Sequence, residues 1–198
     1  TSLSGTLTRS TVQGIASFDN LSLPVLANGY TLVASTASFG TATSSAFNVG
    51  PGNPSQLAFV QQPSATVAGV VIAPALQVQV RDAGGNLVAT ATDTVRLTLA
   101  TNPASDTLRG TLTAVAVNGV ATFDAVRLRR AATGITVRAS ATNLTGATSA
   151  AFAVTPAPAV VVRIAQQPGN VNVGAAFSPV VTAEVRDSLG NRVTSDSA

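Results

Sequence analysis

The sequence predicts an all-β chain of antiparallel β-sandwich modules arranged in tandem with a 105-residue repeat. Three observations carry that prediction. The motif V-R-D-x-x-G-N stands at residues 80–86 and again at residues 185–191, an offset of 105. Apolar and polar residues alternate with period two along much of the chain, and no stretch sustains a helical period. Valine, threonine and alanine dominate, a composition that suits short strands better than helices.

The offset extends far beyond the opening motif. G-T-L-T at 5–8 returns at 110–113, and Q-G-I-A-S-F-D at 13–19 returns as N-G-V-A-T-F-D at 118–124. A-T-S-S-A-F-N-V at 42–49 returns as A-T-S-A-A-F-A-V at 147–154, and no insertion is needed anywhere. Self-similarity at a fixed period is the mark of tandem units. The expected organisation is the C-terminal half of one module over 1–52, a complete module over 53–158, and the N-terminal half of another over 159–198. With no methionine to start it, the chain reads as a window on a longer array.

The elements of the middle module follow in order. Leu76, Val78 and Val80 are expected inward, with Gln77, Gln79 and Arg81 facing water. Val185 with Val181 and Ala183 is the corresponding inward set of the last unit, and Glu184 lies outside it. Val95, Leu97 and Leu99 form the next buried set. Over 112–117 two registers compete, and the reading favours Thr113, Val115 and Val117 as the inward face over Leu112, Ala114 and Ala116. Asn118-Gly119 predicts a two-residue hairpin, because both residues tolerate the positive φ of a type I′ turn. Ala121 and Phe123, Val126 and Leu128, Ile135, Val137 and Ala139, then Phe152 and Val154 complete the core. About seven short strands with turns every 8–12 residues read as a two-sheet sandwich. Between units, N-V-G-P-G-N-P-S-Q at 48–56 and A-V-T-P-A-P-A-V at 153–160 are short, proline-stiffened junctions.

The same residues restrict function. The chain has no cysteine, histidine, lysine, methionine or tryptophan, which removes the commonest bases, nucleophiles and soft metal ligands. No enzyme activity and no cofactor are expected. The carboxylates of the middle module, Asp82, Asp93, Asp106 and Asp124, form no close pair, whereas calcium takes six or more oxygens, so no metal site is expected. All eleven cations are arginine, and a net charge of +3 reflects scarce acids more than a basic face. Without interleaved aromatics, nucleic-acid binding is not expected. No uninterrupted apolar run of 18 residues is present, so no membrane insertion is expected in this segment.

Two groups of residues remain as candidate sites. Asp82, Gly85 and Asn86, with Asp187, Gly190 and Asn191, read as structural turns closed by side chain–backbone hydrogen bonds. Arg127, Arg129, Arg130 and Arg138 form the one local basic cluster, a solvated face or a patch for an anionic ligand such as a polysaccharide. Asn20-Leu-Ser and Asn143-Leu-Thr also match the N-linked acceptor pattern.

V-Q-V-R-D-A-G-G-N-L-V at 78–88, G-V-A-T-F-D at 119–124 and A-F-A-V at 151–154 resemble bacterial Ig-like repeats of large surface and secreted proteins, the broad invasin/intimin-type group. The resemblance implies Ig-like β-sandwiches, an extracellular or cell-surface location, and stalk duty in projecting adhesive or other terminal domains. It implies neighbouring Ig-like repeats, of the same or identical chains, as partners. Two alternatives stand beside the stalk. One is a filament subunit whose half-modules are completed by neighbouring subunits. The other is a binding module whose loops take a host glycan or a protein.

Overall fold

The structure is a computed structural model that describes residues 2–194, and among these every regular element is a strand. Ahead of the central body come β1 (Ala27–Tyr30), β2 (Val33–Thr36), β3 (Gly40–Thr43) and β4 (Phe47–Val49). The central stretch carries β5 (Gln56–Gln61), β6 (Thr66–Val67), β7 (Leu76–Arg81), β8 (Thr94–Thr101) and β9 (Thr113–Val115). It continues with β10 (Val120–Phe123), β11 (Ala132–Ser140), β12 (Ala147–Thr148) and β13 (Phe152–Thr155). A last pair, β14 (Ala159–Gln166) and β15 (Thr182–Asp187), follows.

The central strands form a three-stranded sheet, β10-β7-β5, and a six-stranded sheet ordered β6-β13-β11-β8-β9 with β12 beside β11. Their apolar faces share one core. Leu76, Val78, Val80, Ala121 and Phe123 come from the smaller sheet, and Val95, Leu97, Val137 and Ala139 from the larger. The inward set expected for β7 is observed, with Leu76, Val78 and Val80 buried. Of the residues expected to face water only Gln77 is exposed: Gln79 and Arg81 are half-buried, the Arg81 guanidinium donating to Gln79 Oε1. All strand pairs are antiparallel except β6 with β13, which runs parallel at the sheet edge. Asn118 and Gly119 both have positive φ, 50° and 75°, as the hairpin prediction requires.

The expected face of β9 is corrected. Val115 and Val117 are 54% and 70% exposed, while Ala116 is buried. The register explains it: Ala114 lies directly opposite buried Val95 on β8. Directly paired residues point to the same side of a sheet, so the alanines go inward and the valines outward. Small side chains fit there, because β10 crosses close to β9. Side-chain size alone points to the opposite face.

Many contacts recur at an offset of 105. Tyr30↔Phe47 on β1–β4 matches Ile135↔Phe152 on β11–β13, and Ala34↔Ala42 matches Ala139↔Ala147. On the other side, Leu57↔Val80 matches Val162↔Val185. Burial does not recur with them. Phe123 is fully buried, yet its counterpart Phe18 is 41% exposed, and Phe177 is 53% exposed where Ile72 is buried. The inward set expected on β15 is likewise uncovered: Val181 and Ala183 are exposed and Val185 half-buried, whereas Glu184 is half-buried against Arg186. Among the described residues the flanking segments carry only two-stranded sheets, β1-β4 and β2-β3 ahead of the central body and β14-β15 after it, and much of their apolar surface is exposed.

Candidate functional site

The two R-D-x-x-G-N turns are densely hydrogen-bonded. The first closes the end of β7. The Asp82 amide donates to the Asn86 carbonyl at 2.9 Å, and Gly85 donates back to the Asp82 carbonyl at 3.0 Å. This path needs a left-handed residue at the tip, and Gly85 supplies it with φ of 84°. The Asp82 side chain turns inward and is 5% exposed. Its carboxylate accepts from the Asn86 amide at 2.8 Å, from Asn86 Nδ2 at 3.0 Å, and from the Gly52 amide at 2.9 Å.

A buried charge is costly unless hydrogen bonds replace its water. Here N–H dipoles do so, and among the described residues neither turn aspartate makes an ion pair. The Asn86 side chain, then the Gly52 amide, hold the Asp82 carboxyl below its ordinary range. Asp187 is built the same way and is 2% exposed. It accepts from the amides of Ala157 at 2.9 Å, Leu189 at 2.8 Å and Asn191 at 2.8 Å, and from Asn191 Nδ2 at 2.8 Å. Burial pushes its carboxyl up, but the Asn191 side chain and these amides outweigh it, and the net direction is down. Gly190, with φ of 85°, plays the part of Gly85.

The aspartates thus do more than close their own turns. Gly52 and Ala157, 105 residues apart, lie in the proline-containing connections ahead of β5 and β14, and each carboxylate ties that connection to the turn beyond it. Gln56 Nε2 adds a bond to the Asp82 carbonyl at 2.8 Å. A second polar centre, Asp106, was not singled out by the sequence. Its Oδ2 accepts from the amides of Arg129 and Arg130, at 2.6 and 2.7 Å, and its Oδ1 from Thr107. Burial pushes this carboxyl up, but the Arg130, Thr107 and Arg129 amides and the nearby Arg109 bring it down overall. The N-P-A-S-D run, with Asn102 bonded to both the amide and the carbonyl of Asp106, was the available signal.

The four arginines of the candidate patch are all exposed. Arg127 bridges Arg109 and Val71 through its backbone. Arg129 and Arg130 flank the Asp106 carboxylate, and Arg130 Nη1 donates to the Ala104 carbonyl at 3.0 Å. Arg138 stands on the outer face of β11 between Thr98 and Thr148, its guanidinium beside Gly146. Of the two asparagines in acceptor patterns, Asn20 is committed to Thr6 through both side-chain atoms, while Asn143 is exposed. Among the described residues, no three carboxylate, histidine or cysteine side chains converge as a metal site.

No family model and no curated protein sequence matches the chain. Solved structures similar to it include a glycosyl hydrolase family 2 member from Bacteroides cellulosilyticus, with 16% identity and a TM-score of 0.42 over 64% of this chain. A β-glucuronidase from Parabacteroides merdae is similar over 60%, with 14% identity and a TM-score of 0.34. The chain spans 17% and 15% of those two chains, respectively.

Proposed function

We propose that the chain is a non-enzymatic stalk segment, a run of Ig-like β-sandwich units that holds other domains away from a bacterial cell surface or within a large secreted protein. The observation that carries this reading is the repeated tie between junction and turn. Gly52 to Asp82 and Ala157 to Asp187 are the same 2.9 Å bond made 105 residues apart. A spacer must keep its units in line under load, and a short junction pinned to the next unit's turn limits how far that unit can swing. Neighbouring units are then the main partners. The exposed arginines leave room for a polysaccharide contact without requiring one.

Small-angle scattering of the full chain tests the proposal. A compact particle of this length has a radius of gyration of about 16 Å. A rod of one full and two partial units, roughly 80 Å long at about 35–45 Å per unit, gives about 25 Å. A value near the compact figure refutes the stalk. A second reading, a filament subunit completed by its neighbours, is favoured by one observation: apolar residues such as Phe18, Val173 and Phe177 are exposed on the two flanking segments. Light scattering across a concentration series separates the two, since only the filament reading requires growth in mass.

A further inference from the structure

The two turns differ in what lies outside them. In the first, Asn86 Nδ2 donates only to the Asp82 carboxylate, and no hydrogen bond or ion pair joins residues 2–49 to residues 53–158 among the described residues. In the second, Asn191 reaches across to the central body. Its Oδ1 accepts from the Ala131 amide at 2.9 Å, and its Nδ2 donates to the Arg129 carbonyl at 2.8 Å while keeping the Asp187 bond. Beside it, Leu189 packs on the central core. Leu189 Cδ1 lies 3.1 Å from where a Cβ on Gly69 would sit, so the socket is open because residue 69 has no side chain. The first turn has Gly84 where the second has Leu189.

We propose that Leu189 and Asn191 form a clasp that docks the segment after Ala159 onto a socket made by Gly69, the Arg129 carbonyl and the Ala131 amide. This junction is therefore stiff, and the junction around Gly52, which has the tie but no clasp, is the bending point. The inference rests on reading residues 159–194 as the start of a following unit. Apolar contact and paired amide bonds supply different things. Leu189 removes apolar surface from water, while the Asn191 amide fixes direction, because its donor and acceptor must both find partners at once.

The test uses the full chain, whose lack of cysteine allows clean labelling. Spin labels at Thr122→Cys and Thr182→Cys report the second junction, and labels at Ser17→Cys and Thr122→Cys the first. The expected distance distribution is narrow across the second junction and broad across the first. Leu189→Gly, which copies the residue of the first turn and leaves the Asp187 bonds in place, is expected to broaden the second. In Asn191→Ala the Ala131 amide is expected to exchange roughly 2- to 10-fold faster, the loss of one hydrogen bond. Asn86→Ala serves as the control and leaves the 122–182 distribution unchanged. The proposal is overturned if Leu189→Gly keeps the narrow distribution while β14–β15 amides stay protected, or if the native second junction is as broad as the first. Both readouts are internal distances, so they stand apart from the overall dimensions that test the stalk.

Discussion

Phe123 and Phe18 occupy the same place in sequence, 105 residues apart, but only Phe123 is enclosed. Phe123 lies on β10 between the two central sheets and is fully buried. Truncating it to alanine removes most of a ring's transfer free energy and leaves a cavity that β7 and β11 cannot fully close, a cost of about 3–5 kcal/mol. Phe18 already leaves 41% of its surface in water. Its truncation forfeits only part of the transfer term and encloses no cavity, so about 1–2 kcal/mol is expected, confined to residues 2–49. Urea unfolding followed by amide signals of β7 and β11 separates the two. With a slope of about 1–3 kcal/mol/M, Phe123→Ala moves the midpoint of the central body down by roughly 2 M, and Phe18→Ala leaves it in place. Equal shifts from the two variants, or a loss below about 1 kcal/mol for Phe123→Ala, would show that residues 53–158 do not pack as an independent core.

Two further outcomes follow from the fold and its charges. The carboxyls of Asp82, Asp106 and Asp187 are held below the ordinary value of 3.8, so the folded state binds protons less readily than the unfolded chain. Their stabilisation is complete above that value and is lost as pH falls through the lower folded values. Thermal melts are expected to be flat from about pH 5 to 8, where the chain has no histidine to titrate, and to drop in acid. In Asp187→Asn the acid drop should be smaller, and an unchanged profile contradicts the hydrogen-bond account. The β9 register gives the other test: Ala116→Asp places an unpaired charge in the core and strongly destabilises, while Val117→Asp at an exposed site changes stability by about 0.5 kcal/mol or less. Equal effects in thermal melts would return the valines to the inward face.

Strict alternation of apolar and polar residues makes the sheets legible in the sequence. Leu76, Val78 and Val80 on β7, Val95 and Leu97 on β8, and Val137 and Ala139 on β11 are buried as their period-two pattern requires, since neighbouring side chains on a strand must face opposite ways. The Asn118-Gly119 hairpin is equally plain, because few residue pairs accept two positive φ values. Where apolar residues run together, pattern fails: Leu112 to Val117 offers two possible faces, and only the pairing of Ala114 with Val95 selects one. The turns divide in the same way. That Asp82 and Asp187 close their own loops is written in the local sequence, because donor and acceptor lie within four residues of each other. That Asp82 also holds Gly52, that Asp106 holds the amides of Arg129 and Arg130, and that Asn191 holds Ala131 are bonds between distant parts of the chain. The sequence by itself therefore determined the inward faces of the strictly alternating strands of the central body and which residues close the turns, because strand alternation and turn geometry act over a few residues. Only the tertiary structure decided which apolar faces are covered and what each turn grips, because both depend on which surfaces the chain brings together.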